Sequence, residues 1–281
     1  MSLPPIKEPN VAGSFYPGKP DALRKYVADL IVKGKVPPSN KPVKAIIAPH
    51  AGYQYSGPVA GTAYRFVQHH PVQTVVLLAP SHKVAFEGIS VWSRGLFETP
   101  LGRIPINREL AIQLVDNKNH CVENPKLFEN EHSLEVQLPF IQCLYPTAEI
   151  IPVLFGQPKY AILETFAQHL HHLITHRPDV LIVVSSDFSH YHSSEVCEKL
   201  DQNTLKTLMS CDPHLFWDAS KTKHIECCGQ SPITALLLFA QLAGLNNIQL
   251  LESTHSGKST ADNARVVGYS ALALMDRTHE C

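Results

Sequence analysis

The chain has 281 residues, and its 24 lysine and arginine residues nearly balance its 25 aspartate and glutamate residues. We expect no nucleic-acid partner, because phosphate contacts need clustered cations and the sequence has no basic block. The longest apolar stretch, 233–244, is shorter than the roughly 20 residues that cross a bilayer. We therefore expect no membrane partner either.

The cysteines and the first residues bear on the cellular compartment. Seven cysteines without a Cys-x-x-Cys spacing favour reduced thiols in a chain of this size. The N-terminus lacks a cationic stretch followed by an apolar one, which predicts that there is no secretory signal. We expect a cytoplasmic protein, and the sequence gives no indication of its oligomeric state.

Hydrophobic periodicity and turn residues predict a single α/β domain over residues 1–281, with a central mixed, largely parallel sheet flanked by helices. The predicted helices are 20–32, 57–67, 108–115, 132–144, 158–175, 194–209 and 232–243. The predicted strands are 43–48, 74–79, 149–154, 180–184, 248–252 and 266–274. Short runs punctuated by Gly and Pro between 88 and 106 predict antiparallel strands inserted into this framework.

Three of the predicted strands lead into side chains that can bind a metal or move a proton. The runs 43–48, 74–79 and 180–184 are followed by His50, His82 and Asp187, respectively. The carboxyl ends of parallel strands lie along one edge of a sheet, and ligands usually bind there. The sequence thus predicts one site built from distant segments.

Two histidines at strand ends favour a metal site, because neutral imidazole is the commonest metal ligand. Asp187 as third ligand would give the two-histidine, one-carboxylate set that suits non-haem iron(II). Cys228 would give a softer set that also accepts zinc or copper. It precedes a predicted helix start, where a thiolate is stabilised, although a small buried cysteine is an equal alternative.

Further histidines lie near these candidates in the sequence. His132 adjoins Glu131 and is either functional or part of a helix-capping arrangement. His190 and His192 follow Asp187 closely. One of them could act as an acid or base, since imidazole titrates near neutral pH.

Eight segments together resemble one protein family, the MEMO family. They are Ala-Gly-Ser-Phe-Tyr-Pro (12–17), Ile-Ile-Ala-Pro-His-Ala-Gly-Tyr-Gln-Tyr-Ser-Gly (46–57), Pro-Ser-His (80–82), Glu-His-Ser-Leu-Glu-Val-Gln-Leu-Pro (131–139), Ile-Pro-Val-Leu (151–154), Ser-Ser-Asp-Phe-Ser-His (185–190), Cys-Gly-Gln-Ser-Pro-Ile (228–233) and Val-Val-Gly-Tyr-Ser-Ala (266–271). Its members include a eukaryotic mediator of cell motility and protein B of the bacterial and archaeal AmmeMemoRadiSam system.

The resemblance implies a fold similar to that of the class III extradiol dioxygenases, which use non-haem iron(II). It also implies that His50, His82 and Cys228 are metal ligands and that Asp187 and His190 line the same pocket. Iron(II) is the first expected cofactor, with copper or zinc as alternatives. Those dioxygenases have a carboxylate where this family has the cysteine, so the reaction does not follow from the fold.

Three functions are compatible with these residues. The first is a non-haem metal-dependent oxidoreductase for a small organic substrate, with His190 and Asp187 as catalytic groups. The second is a non-enzymatic adaptor that binds a peptide through aromatic residues near His50. The third is a zinc-dependent hydrolase. The expected pocket residues are Tyr53, Tyr55, His132 and His192.

Overall fold

The computed structural model describes residues 5–276. Its strands are β1 (Ile6–Lys7), β2 (Val43–Ala48), β3 (Thr74–Pro80), β4 (Ile89–Val91), β5 (Leu96–Thr99), β6 (Gly102–Pro105), β7 (Cys121–Glu123), β8 (Glu149–Phe155), β9 (Val180–Ser185), β10 (His190–His192), β11 (Ile248–His255) and β12 (Val266–Met275). Its α-helices are α1 (Pro20–Val32), α2 (Tyr53–Val67), α3 (Arg108–Ala111), α4 (Leu138–Leu144), α5 (Tyr160–Ile174), α6 (Ser194–Met209), α7 (Pro213–Lys221), α8 (Gln230–Ala243) and α9 (Gly257–Thr260).

The main sheet is built around four parallel strands. Its order is β10-β12-β2-β9-β3-β8-β4-β7, and β11 pairs with β12. Strands β2, β9, β3 and β8 are parallel, whereas β12 and β4 run antiparallel to their neighbours β2 and β8. All residues of β2, β3 and β9 are buried, which explains why their sequences are mostly apolar. The predicted α/β class with a mixed sheet is confirmed.

The segment between 88 and 106 contributes to two sheets. Strand β4 joins the main sheet antiparallel to β8. Strands β5 and β6 form an antiparallel hairpin, and β1 adds to β5 in a separate three-stranded sheet. The antiparallel insertion is thus present, but most of it lies outside the main sheet.

Helices pack on the sheet to complete one continuous hydrophobic core. Helix α1 packs on α2, which contacts β2 and β12, and α5 packs on α8, which contacts β3 and β9. Residues 1–4 and 277–281, which the predicted single domain also includes, lie outside the described residues. No helix within residues 5–276 is long and apolar enough to cross a membrane.

Two predicted helices begin four or more residues from their predicted starts, and two helices, α7 and the short α9, were not predicted. Helix α2 starts at Tyr53, so that Pro58 lies inside it, because the Tyr53 N–H donates to the Phe15 carbonyl across 2.8 Å. The helix predicted at 132–144 starts later, with a 3₁₀ turn at Glu135–Gln137 that leads into α4. Helix α7 is absent from the prediction, although Asp212 caps its start by accepting two backbone N–H groups.

Candidate metal centre

The order of the central strands brings together the side chains that were predicted to meet. Strand β9 lies between β2 and β3, with Ala48 opposite Ser185. Beyond these strand ends, the His50 N–H donates to Asp187 Oδ1 at 2.7 Å. The His50 and His82 ring centroids are 5.1 Å apart. The predicted convergence at one sheet edge is therefore present in the structure.

A third imidazole, that of His132, completes the cluster. One nitrogen from each of His50, His82 and His132 lies within 4.8 Å of the other two. The His132 ring centroid is 5.0 Å from that of His82 and 5.8 Å from that of His50. His50 is buried, His132 is half-buried and His82 is exposed, so the cluster opens to solvent on the His82 side.

Hydrogen bonds fix which nitrogen of His50 carries the proton. Ser185 Oγ donates to the Ser133 carbonyl at 2.7 Å and must therefore accept from His50 Nδ1, which lies 2.8 Å away. The proton then sits on Nδ1, and Nε2 presents a lone pair to the cluster. Metal-binding histidines are commonly oriented through their other nitrogen in this way.

A buried carboxylate orients the other two imidazoles. Glu131 Oε1 accepts from His82 Nδ1 at 3.0 Å and lies 3.4 Å from His132 Nδ1. Its two oxygens also accept the backbone N–H groups of His82 at 2.5 Å and Ser133 at 2.9 Å. The Nε2 atoms of His82 and His132 are thereby left as the coordinating atoms.

The pKa values in the cluster suit a cation. Burial acts to raise the pKa of Glu131, but the hydrogen bonds from His82 and Ser133 outweigh it and hold the pKa well below its usual range. Burial, with the neighbouring His82 and His132, lowers the pKa of His50 well below its usual value. Burial also lowers the pKa of His132. Neutral imidazoles beside a carboxylate are the protonation states that bind a metal.

Cys228 lies against His50, just before α8. Its Sγ is 3.3 Å from His50 Nε2 and accepts the Asp187 N–H at 3.2 Å. Burial, and then the Asp187 carboxyl, raise the pKa of this thiol well above its usual value. The structure thus places the predicted sulfur ligand beside His50. The three ligand atoms that all lie within 4.8 Å of one another belong to His50, His82 and His132. The ligand role of Cys228 stays a prediction.

Asp187 and His190 lie at the same strand end, and a glutamate orients the second of them. Asp187 is buried, which raises its pKa to about 7 despite the opposing hydrogen bond from the His50 N–H. Glu226 Oε1 accepts the His190 N–H at 2.9 Å, and Glu226 Oε2 lies 2.8 Å from His192 Nε2. Burial lowers the pKa of His190, partly opposed by Glu226. Glu226 was not predicted, because it is far from β10 in the sequence.

The two tyrosines predicted to line a pocket have different surroundings. Tyr53 is 1 % exposed, donates to the Val136 carbonyl at 2.7 Å and packs on Phe140 in the core. This position does not fit its expected contact with a partner. Tyr55 is half-buried in the first turn of α2, and its ring lies near Gly52 of the loop that follows His50.

Comparison with known proteins decides the family. The sequence matches the Memo family, described as Memo-like protein, over residues 7–273. The chain belongs to the MEMO family. A MEMO1 family protein from Thermoplasma volcanium is 32% identical over 268 residues, which cover 95% of this chain and 97% of that relative. A MEMO1 family protein from Thermotoga sp. strain RQ2 is 30% identical over 278 residues, covering 95% and 99% of the two chains.

A solved structure is also similar to this MEMO-family chain. It is that of an uncharacterized protein from Escherichia coli K12, with a TM-score of 0.49 and 13% sequence identity. The match covers 83% of this chain and 99% of the other.

Proposed function

We propose that this MEMO-family chain is a metal-dependent oxidoreductase that holds iron(II) or copper at His50, His82 and His132 and acts on a small organic substrate. The observation that carries the proposal is the approach of three imidazole nitrogens to within 4.8 Å of one another. The Nδ1 atom of each histidine faces a hydroxyl or carboxylate oxygen. The proposed location is the cytoplasm, where thiols such as that of Cys228 stay reduced.

The donor atoms match these metals. Imidazole nitrogens suit iron, copper and zinc, whereas magnesium and calcium prefer oxygen ligands. The Cys228 sulfur, 3.3 Å from His50 Nε2, adds a soft donor that favours the same metals. A bound iron(II) or copper ion would supply the one-electron chemistry that side chains alone lack.

The surrounding residues have separate proposed roles. Asp187 and His190 would carry protons, since both follow β9 at the sheet edge where His50 lies. Glu226 would position His190 through its backbone N–H and His192 through its ring. Tyr191, which is 64 % exposed, would contact the substrate beside His190.

Metal analysis of the protein purified without oxygen tests this proposal. We expect His82→Ala to lose one bound metal equivalent and the visible spectrum that nitric oxide gives with the iron(II) form. His172→Ala is the matched control, because it removes an exposed histidine on α5. Equal metal content and equal spectra in wild type and His82→Ala would refute the proposal.

Three imidazoles also favour a second candidate, a zinc-dependent hydrolase. Catalytic zinc is commonly held by three protein ligands with a fourth position open. Oxygen uptake with ascorbate as the reductant separates the two functions. We expect uptake by the iron- or copper-loaded protein above that of His82→Ala. Ester hydrolysis by the zinc-loaded protein without such uptake would favour the hydrolase.

A further inference from the structure

A cavity whose lining includes several charged residues lies between α6 and β11. Its volume is about 340 Å³, and His50, His82 and His132 do not line it. His255, the last residue of β11, is 3% exposed, and neither of its ring nitrogens has a hydrogen-bond partner in the described structure. Buried polar groups are almost always hydrogen-bonded, so an unpartnered imidazole calls for a ligand.

The orientation of His255 directs one nitrogen toward a carboxylate. Its Nδ1 lies against Gly257, where a Cβ atom would be 2.9 Å away. Its Nε2 lies 3.5 Å from Glu198 Oε1. With metal–ligand bonds of about 2.0–2.2 Å, two ligands of one tetrahedral zinc ion lie about 3.3 Å apart. The His255–Glu198 separation is therefore close to that of two ligands of one ion.

A second carboxylate lies on the same face of the sheet. His255 pairs with Gly268 across β11 and β12, and residues directly opposite in antiparallel strands project side by side. Asp201 Oδ2 takes up the space that a Cβ atom of Gly268 would need. Asp201 also lies three residues after Glu198, on the same side of α6. Both carboxylates are thus on the His255 side of the cavity.

We propose that His255, Glu198 and Asp201 form a second metal site, for a divalent cation of the zinc class. The two carboxylates balance the charge of the ion. Lys258, which also lines the cavity, is a positive charge that acts against cation binding. The ligand atoms of His255, Glu198 and Asp201 are not all within 4.8 Å of one another, as those of His50, His82 and His132 are. The site therefore requires the Glu198 side chain, which is 58 % exposed, to move toward Asp201 when the ion binds. Cys197, whose Sγ is 3.5 Å from Asp201 Oδ2, adds a softer donor beside the site.

Equilibrium dialysis of the full chain against Zn²⁺, with the metal counted per chain, tests the second site. We expect two equivalents in wild type and in the control His172→Ala. We expect one in His255→Ala, and a second-site affinity lowered about tenfold or more in Glu198→Gln. His82→Ala should lose the other equivalent. If only the histidine triad fails to bind, wild type holds one equivalent, which His255→Ala removes and His82→Ala leaves in place.

Loss of the fold is separated from loss of the ligand by circular dichroism and urea denaturation of each variant. Glu198→Gln is the decisive variant if His255→Ala does not fold, because Glu198 is largely exposed and glutamine keeps its shape. A folded Glu198→Gln protein with wild-type stoichiometry and affinity for Zn²⁺ would overturn the second site. The same result in a folded His255→Ala protein would also overturn it.

Discussion

At the level of single residues, one carboxylate organises two of the three imidazoles. Glu131 is buried and ionised, and its oxygens accept from the His82 ring and from the backbone N–H groups of His82 and Ser133. An ionised carboxylate donates no hydrogen bond, so the His82 proton must lie on Nδ1. Glu131 thus determines which nitrogen of His82 faces the metal centre.

Glu131→Gln should weaken metal binding without removing a ligand. The glutamine amide keeps the size of the side chain but loses the charge and one acceptor oxygen, so we expect affinity for iron(II) or zinc to fall about 10- to 100-fold. Isothermal titration calorimetry measures this change. Glu129→Gln, a nearby exposed glutamate, is the control, and equal affinities in the two variants would contradict the role of Glu131.

At the level of elements, the apolar strand β2 contains one charged residue, Lys44. Its Nζ donates to the carbonyls of Ile174 at 3.3 Å and Arg177 at 3.2 Å, at and just past the end of α5. Lysine side chains can hydrogen-bond the last carbonyls of a helix in this way, and here the same carbonyls also accept the backbone N–H groups of Arg177 and Val180. Burial lowers the pKa of Lys44, although Asp276 and Asp179 act in the opposite direction.

Lys44→Met should reveal this shifted pKa in the pH dependence of stability. Above the folded-state pKa of Lys44 and below its ordinary value of about 10.5, the unfolded chain binds more protons than the folded chain. The free energy of unfolding of wild type should therefore rise relative to Lys44→Met between pH 8 and pH 10. Urea denaturation at both values measures it, with the exposed Lys41→Met as control. An unchanged or falling difference would contradict the shift.

The strands were predicted better than the helix starts, for a physical reason. Buried parallel strands are mostly apolar, and the predicted strand 43–48 matches β2 at both ends. The start of α2 depends on the contact of Tyr53 with Phe15, which the local sequence does not encode. The start of α4 follows a 3₁₀ turn at Glu135–Gln137, and Glu131 accepts the His132 N–H before it at 3.0 Å. Local periodicity contains no information on such contacts.

The part of the candidate site that follows buried strands was predicted from the strand pattern. His50, His82 and Asp187 follow β2, β3 and β9, and the parallel order of these strands brings them together. His132 was expected in the pocket but not as a metal ligand, and the structure, not the strand pattern, places its ring beside those of His50 and His82.

At the level of the whole molecule, stability should be highest in the centre of the main sheet. Strands β2, β9 and β3 are buried throughout and paired on both sides, whereas β10 is at an edge and only partly buried. Amide protons that exchange with solvent only through global unfolding lie in such central strands. We therefore expect the candidate metal centre to lie next to the most protected strands of the protein.

Hydrogen exchange followed by mass spectrometry checks this expectation. Peptides from β2 and β9 should exchange about 100-fold or more slowly than peptides from β10, because edge strands open locally. Helix α5, buried along one side, provides an internal comparison of intermediate rate. Equal protection of β10 and β9 would show that the edge is held by contacts other than those described.

The position of β9 between β2 and β3 has a consequence for synthesis. His50, His82 and His132 are all translated before residue 180, but the strand that spaces the first two is β9. A nascent chain that has emerged from the ribosome only as far as His132 contains all three imidazoles of the cluster. It still lacks β9, the strand that separates β2 from β3. Under the proposed function, we therefore expect the cation to be loaded only after residue 185 has been translated and has left the exit tunnel.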